Sequence, residues 1–271
     1  MAKLVHGGWL TAAGIEPVED PLRALEDGGP PVGDAPLPDG LGLPFEPPEV
    51  WCAGVTYERS REARIAETQV KDVYSLVYDA DRPEIFLKDA SCRRTVGPGK
   101  PVGVRADSTW TVPEPELGLV IGREGRIVGA IAGNDLTARD IEGVNPLYLP
   151  QAKLFAAACS LGPVVLTPDE WPAEFEIRCR ILSSDAVVWE AATSTAQMKR
   201  TFEDLVSWLV RDNPVPPGTV LLTGTGLVPP DDVALSPGQR VEVCVTGLGT
   251  LANPVVAAAD LIGAERSTAD V

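Results

Sequence analysis

The sequence predicts an α+β protein that is mainly β. Short apolar segments, separated by turns rich in glycine and proline, recur from about residue 50 onwards, which is typical of strands. Apolar residues at three- and four-residue steps, which indicate helices, are clearest from Tyr57 to about Tyr78 and at Phe202–Val210. With 271 residues, 44% of them hydrophobic and 23% charged, the chain can form one large domain with a small appendage.

Residues 1–48 are predicted to be a small, proline-rich N-terminal appendage that packs on a main domain formed by residues 49–265. They hold nine of the 26 prolines, which favours irregular structure with at most a short strand at Lys3–His6 and a weak helix near Pro21–Glu26. A disordered leader is the alternative, although apolar residues such as Trp9 give the segment something to bury.

The main domain is predicted to begin with a strand, a helix and a second strand. Val50–Val55 is a short apolar strand, and the helix from Tyr57 to about Tyr78 follows it. Charged residues crowd the start of that helix, and a solvated helix face explains them on composition alone. Pro83–Lys88 is a strand that carries a single lysine, and Val96–Pro101 is a turn.

Charge and composition argue against several classes of partner and chemistry. The formal net charge of −16 argues against nucleic acids and anionic membrane surfaces, but a small anionic substrate is still possible where a metal or local basic residues reverse the field. No secretory leader or membrane-spanning apolar run is recognised, and five scattered cysteines fit reduced thiols, so a cytoplasmic protein is expected. His6 is the only histidine, which leaves no Ser-His or Cys-His arrangement except one that uses His6 itself.

An acidic pair lies in the middle of the chain. Glu114 and Glu116 are two residues apart, and the prolines at positions 113 and 115 enforce an extended backbone, so both side chains leave the same face. Two like charges side by side repel one another unless a cation lies between them. On its own, the pair is better explained as an exposed strand edge with two solvated glutamates.

A third acidic residue changes that interpretation. Arg123–Arg126 is predicted to be a hairpin turn and Ile127–Ala132 the returning strand, which brings Asp135 level with Glu114 and Glu116. Three carboxylates in register supply the oxygen ligands that hard cations prefer. The hairpin is therefore predicted to carry a metal site.

The second half of the chain continues the mixed pattern and contains one isolated cation, Lys153, within a long neutral run. Its predicted strands are Pro163–Leu166, Phe175–Leu182, Ala186–Ala192, Leu221–Leu222 and Arg240–Val245. Its predicted helical segments are Arg139–Asp140, Gln151–Cys159 and Phe202–Val210, with a loop at Gly143–Pro150 and a closing turn at Gly247–Pro254.

Five ordered motifs between about residues 50 and 256 resemble those of the fumarylacetoacetate hydrolase superfamily. They read VPEPELGLVI, GNDLTARD, LPQAKLF with LGP, LLTGTG, and SPGQRVEVCVTGLGTLANPV. The resemblance implies a mixed β-roll catalytic domain with a few peripheral helices, assembled as a homodimer or a dimer of dimers. It also implies a bound Mg²⁺, with Mn²⁺ or Ca²⁺ as alternatives, that chelates a 2-oxo acid substrate.

The same resemblance assigns roles to individual residues. The family's metal ligands fall on Glu114, Glu116 and Asp135, and its pocket lysine falls on Lys153, a candidate catalytic residue. Substrate-binding residues are expected at Arg139, Ser60, Lys88 and Thr225.

Three positions depart from the family's hydrolases. The histidine and glutamate that activate water in those enzymes correspond here to Ser60 and Ala63, and a position often occupied by glutamine is Glu142. C–C hydrolysis is therefore not expected. A metal and 2-oxo acid binding protein without catalysis is one alternative.

The segments GVTYERSREAR and DVYSLVYDADRPEIF resemble the family's 2-keto-3-deoxy-arabinonate dehydratases, which are lyases of sugar-acid catabolism. This implies loss of water from a metal-chelated 2-keto-3-deoxy sugar acid, through an enolate, to give 2,5-dioxopentanoate. The base is Lys153 or, if Lys153 only positions the substrate carboxylate, Glu58, Glu62 or Glu142. Another activity of the family is the alternative: an acylpyruvate hydrolase, an oxaloacetate decarboxylase or a 2-hydroxyhepta-2,4-diene-1,7-dioate isomerase.

Overall fold

The fold is known from a computed structural model, which describes residues 2–30, 36–67, 76–169 and 171–262. Within these ranges the strands form three sheets, and short helices connect them. The predicted class, α+β and mainly β, is confirmed. In chain order the strands are β1 (Lys3–Val5), β2 (Gly8–Thr11), β3 (Gly14–Pro17), β4 (Glu49–Gly54), β5 (Glu84–Ala90), β6 (Thr95–Val96), β7 (Val102–Val104), β8 (Thr111–Val112), β9 (Pro115–Ile121), β10 (Ile127–Asp135), β11 (Thr137–Ala138), β12 (Cys159–Leu166), β13 (Glu176–Ser183), β14 (Ala186–Ser194), β15 (Thr219–Leu222), β16 (Gln239–Val245) and β17 (Gly249–Ala257).

The largest sheet is mixed and has the strand order β3-β2-β1-β12-β10-β9-β15-β4-β5, with β6 beside β12. A smaller sheet has the order β14-β13-β16-β17-β7, and β8 pairs with β11. A shared apolar core joins the large and small sheets, and it contains Leu117 and Leu119 of β9 together with Ile181 of β13 and Val243 of β16. Each fully buried side chain of this kind stabilises the fold by about 1.5–3 kcal/mol.

The β9–β10 hairpin is buried on both faces of the large sheet. Leu117 and Leu119 belong to the shared core, whereas Val120 belongs to a second apolar cluster on the opposite face. Side chains alternate along a strand, so Glu116 leaves β9 on the same side as Val120. The candidate metal site therefore lies on the face of the sheet that bears the second cluster.

The N-terminal residues extend the large sheet instead of forming an irregular arm. The predicted strand near Lys3–His6 is confirmed as β1, which pairs with β12 and places Leu4 opposite Val165. The hairpin of β2 and β3 was not predicted, because its glycines had been interpreted as irregular structure. Burial of Leu4 and Trp9 in the second apolar cluster explains why these short strands form.

Strand β5 contains a β-bulge at its single lysine. In its pairing with β4, Val50 lies opposite Asp89 but Trp51 lies opposite Leu87, which leaves Lys88 as the extra residue. Bulges re-aim side chains and are common beside active sites. Here the bulge directs Lys88 into the interior, where the whole residue is inaccessible to solvent.

The helices are α1 (Pro21–Asp27), α2 (Glu58–Glu67), α3 (Arg139–Val144), α4 (Leu149–Lys153) and α5 (Phe202–Leu209). The predictions near Pro21–Glu26 and at Phe202–Val210 are confirmed, and the Thr201 side chain caps α5 by accepting from the amide of Asp204. The helix predicted from Tyr57 to about Tyr78 is confirmed at α2 and at residues 76–78, which are also helical. Its residues 68–75 lie outside the described part of the chain.

Three predictions in the second half were wrong in part. The loop predicted at Gly143–Pro150 contains a 3₁₀ turn at Pro146–Tyr148 and the start of α4, and the helix predicted at Gln151–Cys159 ends at Lys153. The turn predicted at Gly247–Pro254 is largely the strand β17, which pairs with β16 on one side and β7 on the other. The composition of this segment does not predict a strand, and the strand forms because β16 and β7 supply hydrogen bonds to its backbone.

No helix among the described residues is long and apolar enough to cross a membrane.

Candidate metal centre and active site

Three carboxylates meet at the open end of the β9–β10 hairpin. One oxygen from each of Glu114, Glu116 and Asp135 lies within 4.8 Å of the others, and all three residues are buried. Two contacts hold the backbone there: the amide of Asp135 donates to the carbonyl of Glu114 at 2.9 Å, and the amide of Glu114 donates to the side chain of Asn134 at 3.0 Å. The predicted register of the three acids is observed.

The surroundings of Glu116 disfavour its ionised form. Burial raises its pKa well above the usual value, and the negative charges of Asp135 and Glu114 add to the increase. The amide of Gly224, at the end of β15, donates to its Oε2 atom at 2.6 Å and acts in the opposite direction. A bound cation would relieve the repulsion that raises this pKa.

Lys153 is the cation closest to the cluster. It is the last residue of α4, is 2% exposed, and donates to Asp135 Oδ2 at 2.6 Å and to Glu114 Oε2. Its ammonium also lies 5.2 Å from the centre of the Phe86 ring. Lys153 therefore bridges two of the three carboxylates from the pocket side.

Two further cations hold the cluster from the protein interior. Lys88 pairs with Asp135 Oδ1 at 2.5 Å and donates to the carbonyls of Leu136 and Lys153 at 2.8 and 2.7 Å. Arg139, the first residue of α3, donates to Glu114 Oε1 at 2.6 Å. Both residues are almost completely buried, and neither lines the cavity that the carboxylates open into.

The donor set fits a divalent cation. Three carboxylate oxygens close together are the ligands that Mg²⁺ and Mn²⁺ prefer, and the orienting contacts from Lys88, Arg139 and Gly224 are typical of a metal site whose ligands are held in place. Burial and the neighbouring carboxylates both disfavour the ionised form of Glu116, and a bound cation would favour it.

The carboxylates open into a small cavity. Of the other residues predicted for the site, Ser60, Glu142, Lys153 and Thr225 line it. The remaining lining comes from Ala53, Gly54, Val55, Glu84, Phe86 and Gly224. Strand β4, α2, β5, the β9–β10 hairpin, α3, α4 and the end of β15 thus converge on one pocket.

Four predicted residues do not line this cavity. Lys88 and Arg139, predicted to bind substrate, contact the carboxylates from behind. Glu62 and Glu58, considered as bases, have side chains that are 56% and 64% exposed and that pair with arginines of the same helix. The structure does not bring these four side chains to the pocket surface.

Two features of the pocket were missed by sequence reasoning. Glu84 at the start of β5 lines the cavity, and its cross-strand partner Gly54 lies directly opposite. Nothing in the sequence marks a glutamate at the end of a predicted strand as a pocket residue. Its position depends on the contact between β5 and β10, which are not neighbours in the sheet.

The fold and the site define a mixed-β protein with a buried, oxygen-rich cation site. The family model described as fumarylacetoacetate hydrolase C-terminal matches residues 49–256, so the chain belongs to this family. The predicted family and fold are thereby confirmed.

Within this family, the chain is similar to proteins named as sugar-acid dehydratases. The chain is 49% identical over 226 residues to a protein of Haloferax volcanii named probable 2-keto-3-deoxyxylonate dehydratase, covering 83% of this chain and 78% of that one. It is 44% identical over 218 residues to the 2-dehydro-3-deoxy-D-arabinonate dehydratase of Saccharolobus solfataricus, covering 78% and 73%. A solved structure of 2-keto-3-deoxy-D-arabinonate dehydratase, complexed with magnesium and 2,5-dioxopentanoate, matches with a TM-score of 0.80 and 36% identity over 94% of this chain and 98% of that one.

Proposed function

We propose that this protein is a Mg²⁺-dependent dehydratase of a 2-keto-3-deoxy sugar acid, with 2-keto-3-deoxy-arabinonate converted to 2,5-dioxopentanoate. The observation that carries the proposal is the buried cluster of Glu114, Glu116 and Asp135 in the wall of a cavity. The likeness to a structure that holds both magnesium and 2,5-dioxopentanoate supports it.

The two relatives named for arabinonate and xylonate do not require two substrates. D-Arabinonate and D-xylonate differ only in configuration at C2 and C3. Conversion to the 2-keto-3-deoxy acid removes both of these stereocentres, so the two sugars give the same compound.

Glu114, Glu116 and Asp135 would hold Mg²⁺. When bound, the ion supplies Lewis-acid polarisation of the substrate's 2-oxo group, which acidifies the protons on C3. Since these three residues line the cavity, the carboxylate and 2-oxo group of the substrate would lie beside them, and C4 and C5 would extend toward the residues that form the rest of the wall.

We assign Lys153 to positioning the substrate and Glu142 to accepting the C3 proton. Lys153 is ion-paired with Glu114 and Asp135, which favours an ammonium that attracts the substrate carboxylate over a neutral amine that acts as a base. Glu142 lines the cavity, is buried, and lies outside the carboxylate cluster.

The remaining predicted substrate residues divide into two pairs. Ser60 and Thr225 line the cavity with hydroxyl-bearing side chains, which suits the hydroxyl groups of a sugar acid. Lys88 and Arg139 are instead assigned to orienting Asp135 and Glu114.

We further propose a homodimer or a dimer of dimers, located in the cytoplasm, with residues 49–265 as the catalytic domain and residues 1–48 as its appendage. The five cysteines are all free in the structure, which supports a reducing compartment. Light scattering coupled to size-exclusion chromatography tests the assembly, and a monomer would contradict it.

The activity is tested by incubating the purified protein with Mg²⁺ and 2-keto-3-deoxy-arabinonate and following the product by mass spectrometry. The proposal expects loss of one water. Cleavage of acylpyruvates without any dehydration would instead assign a hydrolase, and no turnover of any 2-oxo acid would favour a binding protein.

A further inference from the structure

A carboxylate outside the pocket belongs to the short helix that also carries Glu142. Asp140 is the second residue of α3 and is half-buried. Together with Val144 and Tyr148 it lines a surface cavity, and it does not line the cavity of the three clustered acids. The proposed function gives this residue no role, so its contacts need a separate explanation.

The Asp140 carboxylate accepts four hydrogen bonds. Its Oδ1 atom accepts from Ser108 Oγ at 2.7 Å and from the amide of Ile141 at 3.0 Å. Its Oδ2 atom accepts from the amide of Thr109 at 2.7 Å and from Thr109 Oγ1 at 3.2 Å. Three of these four donors belong to the segment just before β8, so a single side chain ties α3 to residues that are 31 and 32 positions earlier in the chain.

The start of α3 depends on this attachment. A helix of six residues is too short to be stable by itself, and Ala138 at its N-cap position makes no side-chain cap hydrogen bond. The amide of Arg139 donates to the carbonyl of Trp110 at 2.8 Å, and β11 pairs with β8 just before the helix begins. Residues 108–112 therefore fix the first turn of α3, and Asp140 is the helix side chain that holds on to them.

The first turn of α3 sets the direction of two buried side chains. Arg139 and Glu142 are three residues apart, which places them on one face of the helix. Arg139 donates to Glu114 at 2.6 Å, and Glu142 lines the cavity. The clustered carboxylates belong to the β9–β10 hairpin and Lys153 belongs to α4. A shift of α3 alone would therefore move Glu142 relative to the rest of the site.

We propose that Asp140 is a positioning residue that sets the distance between the Glu142 carboxylate and C3 of the substrate. The inference rests on the proposed function, in which Glu142 accepts the C3 proton. Proton transfer requires the acceptor to lie within hydrogen-bond reach, and a misplacement of about 1 Å can lower the rate about 100-fold. Asp140 acts through the placement of α3 and not by contact with the substrate.

The test uses Asp140→Asn, which keeps the shape of the side chain but puts an N–H donor where one carboxylate oxygen accepts. Dehydration of 2-keto-3-deoxy-arabinonate is measured beside exchange of the C3 protons of 2-oxobutanoate in D₂O, which reports proton transfer at C3 alone. Both the kcat for dehydration and the exchange rate should fall at least about tenfold. KM and Mg²⁺ affinity should stay within about threefold of wild type, because other elements hold the metal ligands and Lys153.

A matched control and a second variant accompany this substitution. Asp20 also accepts from a backbone amide at the start of a helix, that of Arg23 at 3.0 Å, but it belongs to α1 and does not line the cavity. Asp20→Asn should leave all four quantities within about threefold of wild type. Ser108→Ala removes one donor to Asp140 without altering α3, and it should lower kcat at least about threefold with KM unchanged.

The double variant Asp140→Asn/Glu142→Gln separates positioning from a general loss of stability. It should exchange C3 protons no more slowly than Glu142→Gln alone, because the displaced carboxylate is already absent. An additive loss of rate would overturn the inference, as would an Asp140→Asn variant that keeps kcat within threefold of wild type or loses Mg²⁺ affinity in proportion to kcat. Wild-type exchange by Glu142→Gln would instead refute the role of Glu142 in the proposed function, whatever Asp140→Asn does.

Discussion

Glu116 is the residue whose behaviour depends most directly on a bound cation. Its pKa is raised by burial and by two neighbouring carboxylates, and the amide of Gly224 is its hydrogen-bond donor. Glu116→Gln keeps the shape of the side chain but removes its charge. We expect at least about tenfold weaker Mg²⁺ binding by titration calorimetry, with an unchanged fold by circular dichroism. Wild-type metal affinity in this variant would refute the ligand assignment.

The raised pKa of Glu116 also predicts how the stability of the metal-free protein depends on pH. Because the pKa of Glu116 is higher in the folded than in the unfolded state, the folded protein binds this proton more tightly. Its contribution to the free energy of unfolding is greatest below the unfolded pKa of about 4.3 and falls as pH rises toward the folded pKa. The stability of Glu116→Gln relative to wild type should therefore increase with pH over that interval.

Urea unfolding of both proteins across pH measures this difference, and subtraction removes the titration of groups that do not interact with Glu116. Saturating Mg²⁺ should stabilise the wild type and reverse the advantage of the variant at neutral pH. A difference that does not change with pH would contradict the electrostatic description of the cluster.

Substitution of Lys88 tests whether this lysine positions a metal ligand or binds substrate. Its ammonium contacts Asp135 and two backbone carbonyls in the interior. Lys88→Met should weaken Mg²⁺ binding by about 10–100-fold, which is typical when a group that orients a metal ligand is removed. Lys199→Met is the control, because the Lys199 side chain is 36% exposed and pairs with Asp79 instead of a carboxylate of the cluster. Normal metal affinity with a raised KM alone would restore the substrate-binding assignment.

At the scale of elements, the turn after β15 brings the backbone close to the site. Gly224 has a φ of +92°, and a Cβ there would lie 2.1 Å from Thr56 Oγ1 and 2.8 Å from the carbonyl oxygen of Ala53. Gly238 has a similar φ of +90° with nothing within 4 Å, so it serves as a matched control. Gly224→Ala should cost about 1–3 kcal/mol more than Gly238→Ala, because only the first forces atoms into occupied space.

Thermal unfolding of the two alanine variants checks this prediction, and metal titration adds a second measurement. Gly224→Ala should also weaken Mg²⁺ binding, since its amide donates to Glu116. Equal destabilisation by the two substitutions would mean that the loss of stability comes from backbone strain and not from crowding at the pocket.

The β9–β10 hairpin could be predicted from the sequence because the residues that determine it lie close together in the chain. Two prolines fix the extension around Glu114, a glycine-containing turn reverses the chain, and counting along the returning strand brings Asp135 into register. Strand β17 could not be predicted in the same way. Pro254 and two glycines argue against a strand, and it forms because β16 and β7 lie on either side of it.

The difference between local sequence patterns and contacts across the fold also explains which pocket residues could be predicted. Residue type and motif position were enough to identify Glu114, Glu116, Asp135 and Lys153 as candidates. The place of Lys88 behind Asp135 depends on a bulge in β5 and on contact between strands that are not neighbours in the sheet. Such packing leaves no periodicity in the sequence.

At the scale of the whole molecule, the N-terminal strand belongs to the packed interior. Leu4 is fully buried in the second apolar cluster, whereas Ile15 on β3 is 41% exposed. Leu4→Ala should lower the free energy of unfolding by about 2–4 kcal/mol within a single transition, and Ile15→Ala should have an effect below about 1 kcal/mol. Denaturant melts test this. A negligible effect of Leu4→Ala would show that the appendage opens independently of the main domain.

The contacts of the site join parts of the chain that are far apart in sequence. Gly224 and Glu116 are 108 residues apart, Lys88 and Lys153 are 65 apart, and Lys153 and Glu114 are 39 apart. Closing such long loops is entropically costly, so we expect these contacts to form late when the chain folds. A newly made chain is therefore unable to capture its ion until nearly every strand has docked, and the onset of metal binding during refolding marks the completion of the native structure.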